Sequence, residues 1–182
     1  MYKCHICGES HQDMPDIHSE YPDQYWDVAP EERDRRIKTT SDTCEIDGEH
    51  FFVKGIVELP IGDEGDRFGF GVWLSLKKEN YETYLKNFDS DEIGPYFGWL
   101  CNSISYYKTD TMLLKTMVHF RGDGFRPVVE IEETDNPLSI DYHQGITLEK
   151  AWEIIHHYEQ QNKSEPDGGH NSGSSAASIV TP

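Results

Sequence analysis

The sequence predicts an α+β fold, in which a mostly antiparallel sheet of about four to six strands carries helices packed largely on one face. Apolar and β-branched stretches come in neighbouring pairs, and a short glycine-rich turn separates the members of each pair. Segments with helical periodicity lie outside these pairs, and no strand-helix-strand rhythm is present. Locally paired strands therefore indicate antiparallel hairpins.

Two hairpins and one further strand account for the predicted sheet. The first hairpin joins residues 51–59 to residues 68–76, and the second joins residues 112–120 to residues 126–131. The apolar block 96–101 is too short for its period to separate strand from helix, and we interpret it as a strand.

Three helices are predicted. Pro30 suits a first helical turn and begins a short helix over residues 30–37. Residues 77–88 place aromatic side chains at spacings of three and four, as an amphipathic helix does. Thr147 can cap a final helix whose apolar stripe ends near Gln161.

The chain reads as one domain. Residues 1–162 contain every predicted element, with a cysteine-bearing segment at residues 1–15. Residues 163–182 are rich in Ser, Gly, Asp and Asn and offer little to bury, so we expect a disordered tail.

The charge balance restricts the possible partners. Sixteen Lys and Arg stand against 34 Asp and Glu, giving a formal net charge of −18. A surface of that sign repels nucleic acids and anionic membranes but speeds the encounter with a basic protein partner. Neither an apolar run of membrane-spanning length nor a signal sequence after Met1 is present, so we expect a cytoplasmic protein. The oligomeric state stays open.

The N-terminal cysteines predict a metal site. Cys4 and Cys7 are two residues apart, and Gly8 lets the chain turn back directly after the second thiol. This is the pattern of a zinc-knuckle-like segment, and zinc in a structural role is the expected cofactor. A tetrahedral site needs further ligands, for which His11 and Cys44 are the candidates, with Cys44 preferred.

Other thiol and imidazole groups are less favoured as ligands. His5 and His18 are weaker candidates, and the alternatives for the cysteines are unligated thiols or a redox pair. Cys101 reads as a small buried hydrophobe. His156 and His157 are neighbours on the last helix, point about 100° apart and are expected to face solvent.

Several short blocks together resemble the DUF2199 family of bacterial proteins over about residues 4 to 158. They are Cys4-x-x-Cys7-Gly8-x-x-His11, Asp42-Thr43-Cys44, Phe70-Gly71-Val72-Trp73-Leu74-Ser75-Leu76, Phe97-Gly98-Trp99-Leu100, Arg126-Pro127 and Asn136-Pro137-Leu138. The resemblance implies a bacterial protein of unknown function, and no catalytic residue can be transferred from it.

Three functions fit these patterns. The leading hypothesis is a noncatalytic acidic protein-binding module with a structural zinc site, in which the aromatic-rich segments from Phe68 to Trp73 and from Tyr96 to Trp99 form core and part of a contact surface. Exposure of these tryptophans would favour the contact surface. One alternative is an immunity-type inhibitor of a basic toxin. The other is a metal- or carboxylate-dependent enzyme, which needs a pocket with groups such as His119 or His143; common nucleotide-binding and hydrolase motifs are absent.

Overall fold

A computed structural model describes residues 2–5, 8–11, 14–62, 65–164 and 177–180. In these ranges the strands are β1 (Tyr2–Lys3), β2 (Ser10–His11), β3 (Asp16–Ser19), β4 (Ile37–Thr39), β5 (Thr43–Ile46), β6 (His50–Ile61), β7 (Asp66–Leu76), β8 (Tyr96–Leu100), β9 (Lys115–His119), β10 (Val128–Ile131) and β11 (Ala177–Val180). The helices are α1 (Pro30–Arg36), α2 (Lys78–Lys86), α3 (Pro137–Gln144) and α4 (Leu148–Ser164), with a 3-10 turn at Asp23–Tyr25. The α+β class is confirmed.

The long hairpin of β6 and β7 is the backbone of the fold. Its antiparallel register runs from Phe51 opposite Leu76 to Ile61 opposite Asp66, as the paired apolar stretches predicted. Alternate residues face the main core, among them Val53, Val57 and Leu74. One face of the hairpin therefore packs in the main core, and residues on its other face, Phe52 and Trp73, pack in a second cluster.

The sheet closes into a barrel, which the predicted open sheet did not include. Strands β7, β8, β9 and β10 pair antiparallel in succession, and β10 then pairs with β6. That closing contact is parallel, with Val128 opposite Ile56. Five strands that alternate in direction leave the first and the last running the same way, so their closure has to be parallel. The ring consists of β6 to β10.

Two short branches extend the barrel sheet. Strands β5 and β4 continue beyond β6, whereas β3 pairs parallel with β7 and is itself covered by β11. Strand β11 lies within the segment expected to be disordered. It forms because Ile179 pairs with Ile17 and packs against the main core, which offsets the entropy lost on ordering. Residues 165–176 of the same segment lie outside the described ranges.

Side chains of three helices pack in the same main core as side chains of the barrel strands. Tyr81 and Tyr84 of α2, Leu138 of α3 and Trp152 of α4 are buried there, whereas α1 buries no residue. Thr147 caps α4 as predicted, accepting a hydrogen bond from the Lys150 amide at 3.1 Å. A smaller second cluster contains Val28, Cys44, Ile46, Phe52, Trp73 and Cys101. Among the described residues, no helix has the length and apolar character needed to cross a membrane.

Candidate functional site

The backbone around the N-terminal cysteines turns back on itself. Strands β1 and β2 pair antiparallel, with Tyr2 opposite His11. The Cys4 amide donates to the Glu9 carbonyl at 2.8 Å, and the Gly8 amide donates to the Cys4 carbonyl at 3.0 Å. Gly8 has a φ of +77°, a left-handed conformation that glycine adopts without steric cost. The turn expected after the Cys-x-x-Cys pair is therefore present.

Cys4 meets a histidine from the opposite end of the chain. Its side chain is 1% exposed, and its Sγ lies 3.2 Å from Nε2 of His156 on α4. The other ring nitrogen of His156, Nδ1, lies 2.8 Å from a carboxylate oxygen of Glu159. Burial lowers the pKa of His156, but the hydrogen bonds to Glu159 and Cys4 outweigh it and the pKa is raised. A thiol, an imidazole and a carboxylate thus form a chain of contacts.

His156 is a site residue that the sequence prediction missed. It was expected to face solvent, but it is only 6% exposed. The prediction failed because the contacting residue, Cys4, lies 152 positions earlier in the chain. Its neighbour His157 does point elsewhere, and its Nε2 contacts the side chains of Ser105 and Gln161. The adjacent side chains diverge as expected, but His156 is buried and His157 is only partly exposed.

The remaining predicted ligands are distributed differently. Cys7 lies outside the described residues, and His11 is described only through its backbone pairing with Tyr2. Cys44 has no exposed surface and belongs to the second cluster, and burial raises the pKa of its thiol to about 12. The structure does not bring Cys44 together with Cys4, which packs in the main core. The described part of the chain contains no group of three or more potential ligands arranged around one point.

A second candidate site is a cleft of about 600 Å³ on the outer side of the barrel. Its lining includes Lys54 from β6, His18 from β3, Arg126 from the segment before β10, and the hydroxyl-bearing residues Thr39, Thr40 and Ser41. Four separate stretches of the chain contribute these side chains. The cleft thus depends on the closure of the barrel and on both of its branches.

Lys54 is the most unusual group in the cleft. It is 8% exposed, and its Nζ lies 5.5 Å from the centroid of the Trp73 ring, its cross-strand neighbour. In the described ranges, no carboxylate oxygen comes within 4.0 Å of that Nζ. Burial lowers the pKa of Lys54, and the nearby Arg126 lowers it further, against the weaker attraction of Asp42 and Glu20. Lys54 is a desolvated cation held by an aromatic face rather than by an ion pair.

Arg126 is the second cation of the cleft. Its Nε donates to Asp42 at 2.7 Å, and its terminal amino groups make no hydrogen bond within the described residues. Burial opposes ionisation of Asp42, but hydrogen bonds from Ser41 and Arg126 lower its pKa overall. Asp42 therefore orients the guanidinium by one edge and leaves the other donors unused.

His18 forms one wall of the cleft. Its buried Nδ1 has no hydrogen-bond partner among the described residues and packs onto Gly71, where an added Cβ would overlap the imidazole ring. Burial lowers the pKa of His18, and repulsion from Lys54 lowers it further, although Asp16 opposes the shift. These effects favour the uncharged imidazole, and Gly71 is required for the ring to approach the sheet.

The tryptophans named in the sequence analysis have different environments. Trp73 is 1% exposed and belongs to the second cluster. Trp99 is 38% exposed and Phe97 is 41% exposed, and the two rings meet edge to face at 5.0 Å on the outer side of β8. Burial removes Trp73 from any contact surface, but the Phe97–Trp99 pair remains available.

The histidines expected of an enzyme pocket do not line the cleft. The Nε2 of His119 lies 2.8 Å from Glu130 in an exposed pair, and the Nε2 of His143 lies 2.9 Å from the Ile131 carbonyl. These contacts stabilise β9, β10 and α3, so neither histidine indicates a reaction centre.

Comparison with known proteins finds one family. No curated protein matches the chain, and no solved structure does. The model of a family described as an uncharacterised protein conserved in bacteria matches residues 3–146, which include the N-terminal turn and the elements of the cleft other than β11. The resemblance noted from the sequence blocks is thereby confirmed, and the chain belongs to the DUF2199 family.

Proposed function

We propose that this protein is a noncatalytic binding module whose cleft receives an anionic group, either a carboxylate or a phosphate. The observation that carries the proposal is Lys54, a cation that is 8% exposed and has no carboxylate partner among the described residues. A buried charge without a counterion costs free energy, and proteins retain such costs mainly where function needs them. An anion in the cleft would supply the missing counterion.

The neighbouring groups support the same ligand chemistry. The terminal amino groups of Arg126 offer hydrogen-bond donors in a planar fork that suits carboxylate or phosphate oxygens. The buried Nδ1 of His18 lies beside these cations without a hydrogen-bond partner among the described residues. Glu20 also lines the cleft, is exposed and repels an incoming anion. The two cations therefore dominate the inner part of the cleft, and the acidic side chain limits affinity from its rim.

Calorimetric titration with inorganic phosphate and, separately, with succinate tests the proposal and distinguishes the two oxyanions. We expect at least one of these anions to bind the wild-type chain, and binding to be at least tenfold weaker in Lys54→Met. The matched control is Lys115→Met, which removes an exposed lysine that pairs with Glu132 at 3.3 Å. Glu20→Gln should bind more tightly because it removes repulsion. No binding of either anion, or equal binding by Lys54→Met and the control, would refute the proposal.

A second candidate function is the capture of a basic protein, as an immunity-type inhibitor would do in the cytoplasm. The exposed Phe97–Trp99 pair favours it, because aromatic side chains are enriched at the centres of protein interfaces. The formal net charge of −18 would steer a basic partner toward this surface. This candidate would place the contact surface on β8 rather than in the cleft.

The test compares wild type with Trp99→Ser in binding to any basic protein that a neighbouring gene encodes. We expect association to be fast and to weaken strongly between low and high salt, and Trp99→Ser to lose at least tenfold in affinity. Salt-independent binding, or equal binding by Trp99→Ser, would remove this candidate.

A further inference from the structure

We infer that Cys4 and His156 are ligands of a structural zinc site, and that Glu159 holds the imidazole of His156 in place. The contact between Cys4 Sγ and His156 Nε2, at 3.2 Å, carries this inference. It assigns to the N-terminal cysteines a ligand from α4 that replaces Cys44 of the second cluster.

The distance fits a pair of ligands on one ion. Zinc binds thiolate sulfur at about 2.3 Å and imidazole nitrogen at about 2.0–2.1 Å, so tetrahedral ligands of these kinds lie about 3.6 Å apart. The Cys4–His156 pair needs to separate by only a few tenths of an ångström to admit the ion. Sulfur and imidazole are also the donors that zinc prefers.

Glu159 provides the support that ligating histidines characteristically have. Its carboxylate lies 2.8 Å from Nδ1 of His156 and can accept that proton, which leaves the lone pair of Nε2 directed at Cys4. A carboxylate on the far nitrogen fixes the tautomer and the ring orientation of a metal-bound imidazole. His157, the adjacent histidine, has no such carboxylate contact and bonds Ser105 instead.

A metal site would stabilise the N-terminal hairpin. Within the described residues, strands β1 and β2 form a two-stranded sheet separate from the nine-stranded sheet. An isolated two-stranded hairpin is marginal in water, whereas a metal bridge to α4 would anchor it. The Cys4-x-x-Cys7-Gly8 pattern supplies the second thiolate in sequence, and His11 on β2 is the candidate for the fourth ligand.

The same three side chains could also be read as a nucleophilic thiol, a base and an orienting acid. Cys4 is 1% exposed, however, and a nucleophile has to meet its substrate. Burial is typical of a closed structural metal site in which protein ligands surround the ion. The geometry therefore favours metal binding over nucleophilic catalysis.

Metal content per chain, measured on untagged protein purified without added metal or chelator, tests the inference. We expect about one zinc per chain in wild type and in the control His157→Ala, and at least a tenfold loss in His156→Ala and in Cys4→Ser. Cobalt substitution should give thiolate charge-transfer absorption in wild type that His156→Ala weakens. Glu159→Gln leaves all ligands in place and should still fold, and its zinc affinity should fall about 10- to 100-fold.

Two results would overturn the inference. One is a full zinc content in His156→Ala. The other is the absence of zinc from a folded wild-type chain. Both readouts concern the thiol end of the molecule, so they are independent of anion binding at Lys54.

Discussion

Replacing Lys54 by Met should make the ligand-free protein more stable while it weakens anion binding at least tenfold. Methionine has a similar length and flexibility, so it fills the same volume beside Trp73 without a charge. The substitution removes a cation that is 8% exposed and lacks a carboxylate partner within the described residues. The expected increase in the free energy of unfolding measures how much the buried ammonium destabilises the ligand-free fold.

The magnitude follows from opposing contributions. Replacing buried charged groups by apolar ones of similar volume is neutral or stabilising by about 1–4 kcal/mol. Loss of the Lys54–Trp73 cation–π contact removes about 1–2 kcal/mol, and the attraction to Asp42 and Glu20 is also lost. The midpoints of these ranges leave a net stabilisation of about 1 kcal/mol, which for a domain of this size raises the Tm by about 2–4 °C.

The pH dependence has a definite sign. The pKa of Lys54 is lowered in the folded state, so the unfolded chain holds this proton more tightly. The resulting cost is complete below the folded-state pKa and disappears as the pH rises toward the ordinary lysine value of about 10.5. The advantage of Lys54→Met should therefore be largest near pH 7 and shrink toward pH 10.

Urea unfolding followed by tryptophan fluorescence at pH 7 and pH 9.5, with Lys115→Met as the exposed control, measures both effects. The control should stay within about 0.5 kcal/mol of wild type at both pH values. A Lys54→Met chain that is less stable than wild type at pH 7, or whose advantage does not change with pH, would show that the ammonium is already satisfied in the fold.

Three further substitutions test the packing around the sites. Gly55→Ala should destabilise the chain by about 1–3 kcal/mol in urea unfolding, because its Cβ would lie 2.7 Å from Val129 where the barrel closes; an unchanged midpoint would contradict the tight closure. Asn102→Ala should cost about 2–3 kcal/mol in the same assay, because the buried amide accepts from the Trp73 backbone N–H at 2.7 Å and the change leaves that donor unsatisfied. Trp99→Ser should shift stability by about 1 kcal/mol or less, since the ring is 38% exposed, and a larger loss would assign it to the core.

The local elements of the fold could be predicted because their signals are short-range. The predicted strands at residues 51–59 and 68–76 became β6 and β7, and the predicted helix at 30–37 became α1. Helix α3 was missed, although Asn136 followed by Pro137 is a recognisable helix start. The Asn136 side chain accepts from the Leu138 amide at 3.0 Å, so the signal was in the sequence and was not used.

Barrel closure could not be predicted from the same signals. The parallel pairing of β10 with β6 joins residues far apart in sequence and leaves no periodicity of its own. Gly55 lies at this closure, where an added Cβ would collide with the side chains of Val129 and Leu74 and with the Pro127 carbonyl. A single strand glycine indicates a close approach of some backbone but does not identify which one.

The cleft shows most clearly what one sequence can and cannot specify. Lys54 interrupts an otherwise apolar run in β6, and a charged residue at such a position already signals a buried charge or a functional group. His18, Thr39 and Arg126 gain their roles only when β3, β4 and the start of β10 are brought beside that lysine. The sequence gives the chemistry of each group. Whether a carboxylate lies beside a buried lysine depends on which strands the topology places next to it. Within the described residues, Asp42 engages only one edge of the Arg126 guanidinium, and this unused donor capacity beside Lys54 is what supports the proposal of an external anion.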